Sequence, residues 1–196
     1  MTSLKSGQYI RVNDEVHYYT QQIVNVVFIE DQSTGNWVLV DAGMPMGGSK
    51  LIDVAKKHFG SRKPSAILLT HGHFDHVGSI KHLIEEWNVP VYAHPEEFPF
   101  LTGSQAYPEP DNTVEGGMLA KLSSIYPIEP VDISAVLQPL PPDGSVPFLK
   151  DWRWLHVPGH SPGQVAFYHD AEKLLVSGDA IITVRQDAMY KVLLQK

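Results

Sequence analysis

The sequence HGHFDH at residues 71–76 places four groups that can bind a metal ion within six positions. His71 and His73 are two residues apart, so in an extended chain they project from the same side. The glycine between them lets the backbone bend closely, and the two nitrogens can converge on one ion. Asp75 and His76 follow in a turn before a helix and can face a second position a few ångströms away.

Two such positions predict a pair of metal ions about 3.5–4 Å apart, which clamp the attacking and leaving oxygens of a substrate. The alternative is a polar loop whose histidines only decorate a helix start, but a motif of this density favours a ligand role. Two further candidates stand at strand ends, where a rigid sheet gathers functional groups. They are His160 in PGHSPG and Asp179 in SGD.

The composition is that of an ordinary globular protein, with 43% hydrophobic and 19% charged residues, and 196 residues fit a single domain over 1–196. No apolar run approaches the ~20 residues that span a bilayer, so we expect a cytoplasmic protein with no membrane partner. The net charge of −7, without a basic block, argues against a nucleic-acid partner. Because the chain has no cysteine, a metal must use nitrogen and oxygen ligands. The sequence leaves open whether the chain forms a homo-oligomer.

The elements that must position these groups can be predicted from the pattern. The segments YIRV, VHYYT, IVNVVFIE and WVLV indicate antiparallel strands. A helix is expected from Ser49, its cap, to about Phe59, with Gly60 as its stop. The strand PSAILLTH leads into the histidines, and an amphipathic helix follows from Val77 to Trp87. VPVYAH, WRWLHV, QVAFYH and LLVSG predict further strands.

Residues 95–150 are rich in proline and glycine, which predicts an irregular, lid-like excursion with one helix at about 114–124. Its apolar side chains either line a substrate cleft or pack locally as a small satellite core. They are Phe98, Phe100, Leu101, Met118, Leu122, Ile125 and Tyr126.

Together, the HGHFDH motif, PGHSPG, SGD and the DAG turn at 41–43 resemble the metallo-β-lactamase superfamily over about residues 23–184, with a glyoxalase II-like motif set. The resemblance implies an α/β fold (α+β in some schemes), an αββα sandwich with metals at one edge. It also implies a ligand role for each of six residues. His71, His73 and His160 would hold the first metal, Asp75 and His76 the second, and Asp179 would bridge them. Asp41 would support the site from behind the ligands, or simply end a strand.

The sequence departs from the family pattern at one point. The family usually supplies a further histidine to the second metal from a later strand, and residues 180–196 contain none. Asp187 is the candidate substitute. We therefore expect the fold to be incomplete at its C-terminus, with the last position filled by water, by a partner chain or by nothing.

By this resemblance the chain is an enzyme, a metallo-hydrolase with two Zn²⁺ per chain, although its ligand types also admit iron or manganese. The implied reaction is hydrolysis of a small-molecule acyl substrate, namely an ester, thioester, lactone or lactam, by a metal-activated hydroxide. Asp75 would orient the water and move a proton. Two alternatives stay open: a mononuclear iron dioxygenase of sulfur compounds, and a metal-binding module inactive for lack of the last ligand.

A serine hydrolase is a further alternative, because GHSPG at 159–163 matches G-x-S-x-G. In that mechanism the residue after the serine must donate its backbone N–H to the oxyanion hole, and Pro162 has none. The segment that follows predicts a strand where the nucleophile elbow needs a helix. We therefore expect Ser161 not to act as a nucleophile.

Overall fold

The structure, a computed structural model, describes residues 6–109 and 127–181. The elements in chain order are β1 (Tyr9–Arg11), β2 (Val16–Gln21), β3 (Val24–Glu30), β4 (Trp37–Val40), α1 (Gly48–Phe59), β5 (Ala66–Leu68), α2 (Phe74–Val77), α3 (Ile80–Trp87), β6 (Val91–Ala93), α4 (Phe98–Leu101), β7 (Leu137–Pro139), β8 (Ser145–Val146), β9 (Leu149–His156), β10 (Val165–His169) and β11 (Leu174–Val176). Short 3₁₀ helices span Pro95–Glu97 and Gly178–Ala180.

These strands form two sheets. The larger sheet has the order β1-β2-β3-β4-β5-β6-β7. Its first four strands pair antiparallel, as the hairpin pattern predicts, and β4 to β7 pair parallel through helical connections. The smaller sheet has the order β11-β10-β9-β8 and is antiparallel throughout.

Alternation along β3 and β4 builds two separate cores, because successive side chains point to opposite faces. Phe28 and Leu39 face a cluster to which each of the four described α-helices contributes buried residues. Ile29 and Val40 face the other way, into a cluster shared with the smaller sheet. The described residues therefore form α, β and β layers of an α/β sandwich, and the second helical layer of the expected αββα order is not among them. Within these residues no helix is long and apolar enough to cross a membrane.

One prediction about the helices was wrong, and another is confirmed only over Ile80–Trp87. Ser49 does not cap α1: the helix begins at Gly48 and has no side-chain cap, while the N–H of Gly47 donates to Ser79 Oγ at 3.1 Å. The helix after the histidines is also split into α2 and α3. The carbonyl of His76 accepts from the DAG loop at 2.6 Å, which takes this part of the backbone out of the helical hydrogen-bond ladder. Gly60 ends α1 as predicted.

The segment 95–150 is more regular than expected, since β7 extends the larger sheet and β8 pairs with β9. Its first apolar side chains pack rather than line a cleft: Leu101 lies in the helix-side core, Phe98 packs against that core, and Phe100 is buried. The predicted helix at 114–124 and its apolar residues Met118, Leu122, Ile125 and Tyr126 lie outside the described residues, as does Asp187.

Candidate metal centre

Strand ends from both sheets meet at one edge of the sandwich. β5 leads into His71 at the end of the larger sheet. The smaller sheet supplies His160 from the turn between β9 and β10, and Asp179 from the 3₁₀ helix after β11. The N–H of Val165 donates to the carbonyl of Thr70 at 2.9 Å and joins the two sheets beside these groups.

Three imidazole nitrogens converge in the first group of candidate ligands. His73 Nδ1 lies 3.1 Å from His71 Nε2 and 2.8 Å from His160 Nε2. Burial, followed by the neighbouring imidazoles, lowers the pKa of His71 well below its usual value and the pKa of His73 to about 4. Both rings are therefore neutral at pH 7, the form whose lone pair a metal requires.

The second group contains His76 and Asp179, with His71 adjacent to both. His76 Nε2 lies 3.3 Å from Asp179 Oδ1, and the other oxygen of that carboxylate lies 3.5 Å from His160 Nε2. Asp179 thus reaches both groups, the arrangement a bridging ligand needs. Asp75 lies further out, with Oδ2 4.0 Å from His76 Nε2, and it belongs to neither group of converging atoms among the described residues. Burial raises the pKa of Asp75, and the Asp179 carboxylate adds to the increase.

A buried carboxylate orients His76 from behind. Asp41 Oδ2 lies 2.8 Å from His76 Nδ1, and its Oδ1 accepts from the N–H of Thr70 at 2.8 Å. The Thr70 hydroxyl also donates to Asp41, at 2.9 Å from Oδ2. Such a partner fixes the tautomer of a ligating histidine so that Nε2 presents its lone pair to the metal. This is the supporting position that the resemblance implies for Asp41.

The converging atoms fit a divalent cation. His76 Nε2 is buried and makes no hydrogen bond of acceptable geometry to any described residue, although Asp179 Oδ1 is only 3.3 Å away. An unsatisfied buried polar atom is costly. The three imidazoles of the first group direct ring nitrogens at one another, where a cation would satisfy each lone pair that no neighbouring N–H reaches. Burial disfavours the charged form of His76, but the carboxylates of Asp41 and Asp179 outweigh it and raise the His76 pKa well above its usual value. The two carboxylates therefore favour a positive charge at this position, and the chemistry of the surrounding donors suits a metal ion.

A third group of candidate ligands lies near the turn that holds His160 but does not converge in the same way. His94 Nδ1 accepts from the N–H of Glu96 at 3.3 Å and caps the 3₁₀ helix Pro95–Glu97. His156 Nε2 lies 2.9 Å from the carbonyl of Pro162. The two rings stack with centroids 4.2 Å apart and an angle of 14°, so their in-plane lone pairs do not point at a common position.

Ser161 is not placed as a nucleophile. Its side chain is buried, and its hydroxyl donates to Glu97 Oε1 at 2.8 Å. The following segment forms β10 rather than a helix, as predicted. Both observations argue against the serine hydrolase alternative.

Sequence reasoning missed three buried residues that hold the ligand loops: Thr70, Glu97 and Tyr107. Thr70 stands next to the motif, but nothing in its type marks it as a partner of Asp41. Glu97 and Tyr107 lie far from the motif along the chain. The only signal was a glutamate immediately before the apolar FPFL segment, where a charged side chain has no obvious partner.

Comparison with family models finds a match to the metallo-beta-lactamase superfamily over residues 19–193. The "Probable metallo-hydrolase YflN" of Bacillus subtilis is 46% identical over 198 residues, covering all of this chain and 75% of that protein. The "Hydroxyacylglutathione hydrolase GloC" of Haemophilus influenzae is 26% identical over 117 residues, which are 59% of this chain and 49% of that protein.

Solved structures give the same result for the fold. The Rm3 metallo-beta-lactamase matches with a TM-score of 0.62 and 21% identity, covering 87% of this chain and 60% of that one. The protein TTHA1623, crystallised in a di-iron-bound form, matches with a TM-score of 0.57 and 33% identity, covering 84% of this chain and 71% of that one. The chain thus spans between about half and three quarters of the length of these four proteins.

Proposed function

Because the chain belongs to the metallo-beta-lactamase superfamily, we propose that it is a zinc-dependent hydrolase of a small-molecule ester, thioester, lactone or lactam. One observation carries the proposal: the two oxygens of Asp179 lie 3.3 Å from His76 Nε2 and 3.5 Å from His160 Nε2, so one carboxylate reaches both groups of imidazoles. Two metal positions sharing a ligand is the arrangement that hydrolysis by a metal pair requires.

The residues named would hold two divalent ions, His71, His73 and His160 at one position and His76 at the other, with Asp179 between them. Such ions, when bound, polarise a carbonyl oxygen and lower the pKa of a water molecule to about 7. Nitrogen and oxygen donors favour zinc and also admit iron or manganese. Because TTHA1623 was crystallised in a di-iron-bound form, the identity of the metal in this chain has to be measured.

Asp75 is the proposed proton carrier. Its carboxylate lies at the rim of the second group, 4.0 Å from His76 Nε2, where it can orient a water molecule without being a tight ligand. The raised pKa of Asp75 is closer to neutral pH than that of an ordinary aspartate. The Asp75 carboxylate is therefore better suited to take a proton from water and to return it to the leaving group. Asp41 keeps His76 in one orientation during this exchange.

A cleft beside His160 and Asp179 supports a small acyl substrate. Its volume is about 560 Å³, within the range of ligand sites, and its walls are largely apolar. The apolar side chains that line it are Leu155, Val157, Pro158, Ala166, Leu175, Ala180 and Ile181. An acyl chain can lie against these walls while its carbonyl points to the ligand cluster.

The test is metal quantification combined with a hydrolysis screen. We expect zinc approaching two per chain, and turnover of at least one ester, thioester, lactone or lactam that is lost on chelation and restored by metal. A single iron per chain with oxidation of a sulfur compound would replace this proposal with the dioxygenase. Bound metal without any turnover would instead identify a metal-binding module.

A further inference from the structure

One buried carboxylate connects the two loops that carry the first group of histidines. Glu97 is fully buried at the end of a 3₁₀ helix. Its Oε2 accepts from the N–H of Gly72 at 2.9 Å and from the Tyr107 hydroxyl. Its Oε1 accepts from the N–H of Gly163 and from the Ser161 hydroxyl, each at 2.8 Å. Each oxygen thus serves one loop.

The cost of burying this charge is offset because every hydrogen bond is directed at it. A carboxylate without partners in such a place would cost several kcal/mol, whereas bonds to an ionised acceptor are about twice as strong as neutral ones. The four donors come from positions as far as 66 residues from Glu97 along the chain. The carboxylate therefore fixes these segments relative to one another rather than stabilising a local turn.

Both loop glycines are explained by this carboxylate. A Cβ atom on Gly72 would lie 2.7 Å from the Tyr107 hydroxyl oxygen and 3.3 Å from Glu97 Oε2. A Cβ atom on Gly163 would lie 2.8 Å from Glu97 Cγ and from its backbone nitrogen. A side chain at either position would displace the carboxylate or its partners, so the glycines of HGH and SPG allow the close approach.

We propose that Glu97 is a positioning residue that sets the distance between His160 and the His71–His73 pair. Gly72 lies between those two histidines, and Ser161 and Gly163 follow His160, so moving Glu97 separates the facing nitrogens. The Tyr107 ring also contacts His73, with centroids 4.3 Å apart, and restricts that imidazole. This inference rests on the proposed metal binding and concerns the first position only, because His76 is held by Asp41 instead.

Glu97→Gln is the sharpest variant because it keeps the shape of the side chain. The Tyr107 and Ser161 hydroxyls can rotate and accept a bond from the new amide. The backbone N–H groups of Gly72 and Gly163 cannot, so in either orientation the new NH₂ group faces one of these two donors. Gly163 then loses the acceptor that Glu97 provides, whereas Gly72 keeps only the Tyr107 hydroxyl oxygen, 3.0 Å from its nitrogen. We expect zinc affinity at the first position to fall 10- to 100-fold, the usual effect of removing a partner behind the ligands.

Zinc titrations against a chromophoric chelator, followed by long-range ¹H–¹⁵N spectra of the histidine rings, separate the two positions. In Glu97→Gln the signals of His73 and His160 should change only at higher zinc concentrations than in the wild type, while the His76 signal should change as in the wild type. In Asp41→Asn the His76 signal should require more zinc, and those of His73 and His160 should not. Glu129→Gln, which changes an exposed carboxylate, should match the wild type.

Unchanged His73 and His160 titration in a folded Glu97→Gln protein overturns the inference and leaves the proposed function intact. Equal weakening at all rings also overturns it, because that result indicates general loosening. If Glu97→Gln does not fold, Tyr107→Phe carries the test with a smaller selective loss, and its absence counts against the inference. A wild-type protein that binds no metal overturns the proposed function and this inference together.

Discussion

Replacing Asp41 with asparagine should weaken metal binding at His76 specifically. The side chain is 4% exposed, and its Oδ2 lies 2.8 Å from His76 Nδ1 while Oδ1 accepts from the Thr70 N–H. An asparagine that keeps the Thr70 bond must turn its NH₂ group toward His76. His76 Nδ1 then becomes an acceptor, its proton moves to Nε2, and the atom that should bind the metal is blocked.

The magnitude follows from these contacts. Loss of a partner that fixes the tautomer costs about 10- to 100-fold in metal affinity, or about 1.4–2.7 kcal/mol. The metal-free protein also loses a hydrogen bond to a charged group, worth about 1.5–3 kcal/mol. For a domain of this size that corresponds to a fall in Tm of about 3–12 °C.

The assay is a zinc titration of chelator-treated protein with a competing chromophore, alongside thermal unfolding without metal. Asp31→Asn is the matched control, because Asp31 accepts hydrogen bonds from Ser33 and Thr34 in an exposed turn. We expect the control to keep the wild-type affinities. If Asp41→Asn fills the His76 position as tightly as the wild type, the reasoning about the tautomer is refuted.

Four further predictions concern the same site. His71→Ala and Asp179→Ala should each remove metal and hydrolysis, whereas His82→Ala, at an exposed position beside Ser49, should do neither; equal metal content in all three by elemental analysis would contradict the ligand assignment. Ser161→Ala should retain hydrolysis within about tenfold of the wild type, because it loses only one hydrogen bond to Glu97. A loss of 10³-fold or more in kcat would instead support Ser161 as a catalytic nucleophile. In metal-free protein, the raised pKa of His76 stabilises the folded state. This contribution is fully present below pH 6.5 and is lost as the pH rises through the pKa of His76 in the folded protein. The variant His76→Gln should therefore reduce the fall in Tm at alkaline pH. The His73 pKa of about 4 works oppositely: stability is present above pH 6.5 and lost as pH falls toward 4, and His73→Gln should reduce that acid decline; parallel Tm profiles for wild type and variants would refute both.

The strands and the ligand motif could be predicted because both depend on local patterns. Segments rich in aromatic and β-branched residues predicted β2 to β4, and the HGHFDH spacing predicted converging imidazoles. The α/β sandwich and the superfamily are confirmed. The roles of individual ligands remain predictions, since the distances place the donors together without a metal to define each role.

The predictions that failed concerned features that depend on contacts between distant segments of the chain. The Ser49 cap was wrong because Ser79, in the turn between α2 and α3, supplies the oxygen to Gly47. The helix after the motif breaks because its backbone bonds the DAG loop. Glu97 was missed for the same reason: a glutamate shows its role only when the fold brings two remote glycines to it.

The candidate ligand atoms are divided between two sheets, and this division would make a bound cation a cross-link. His71 and His76 belong to one layer, and His160 and Asp179 belong to the other. Without the cation, the layers are joined by the apolar core and by hydrogen bonds such as that from Val165 to Thr70. Metal loss should therefore loosen β9 to β11 more than β3 to β5, which amide exchange can detect as an uneven gain in deuterium. In this architecture, the cation proposed for hydrolysis would also hold the larger and the smaller sheet together.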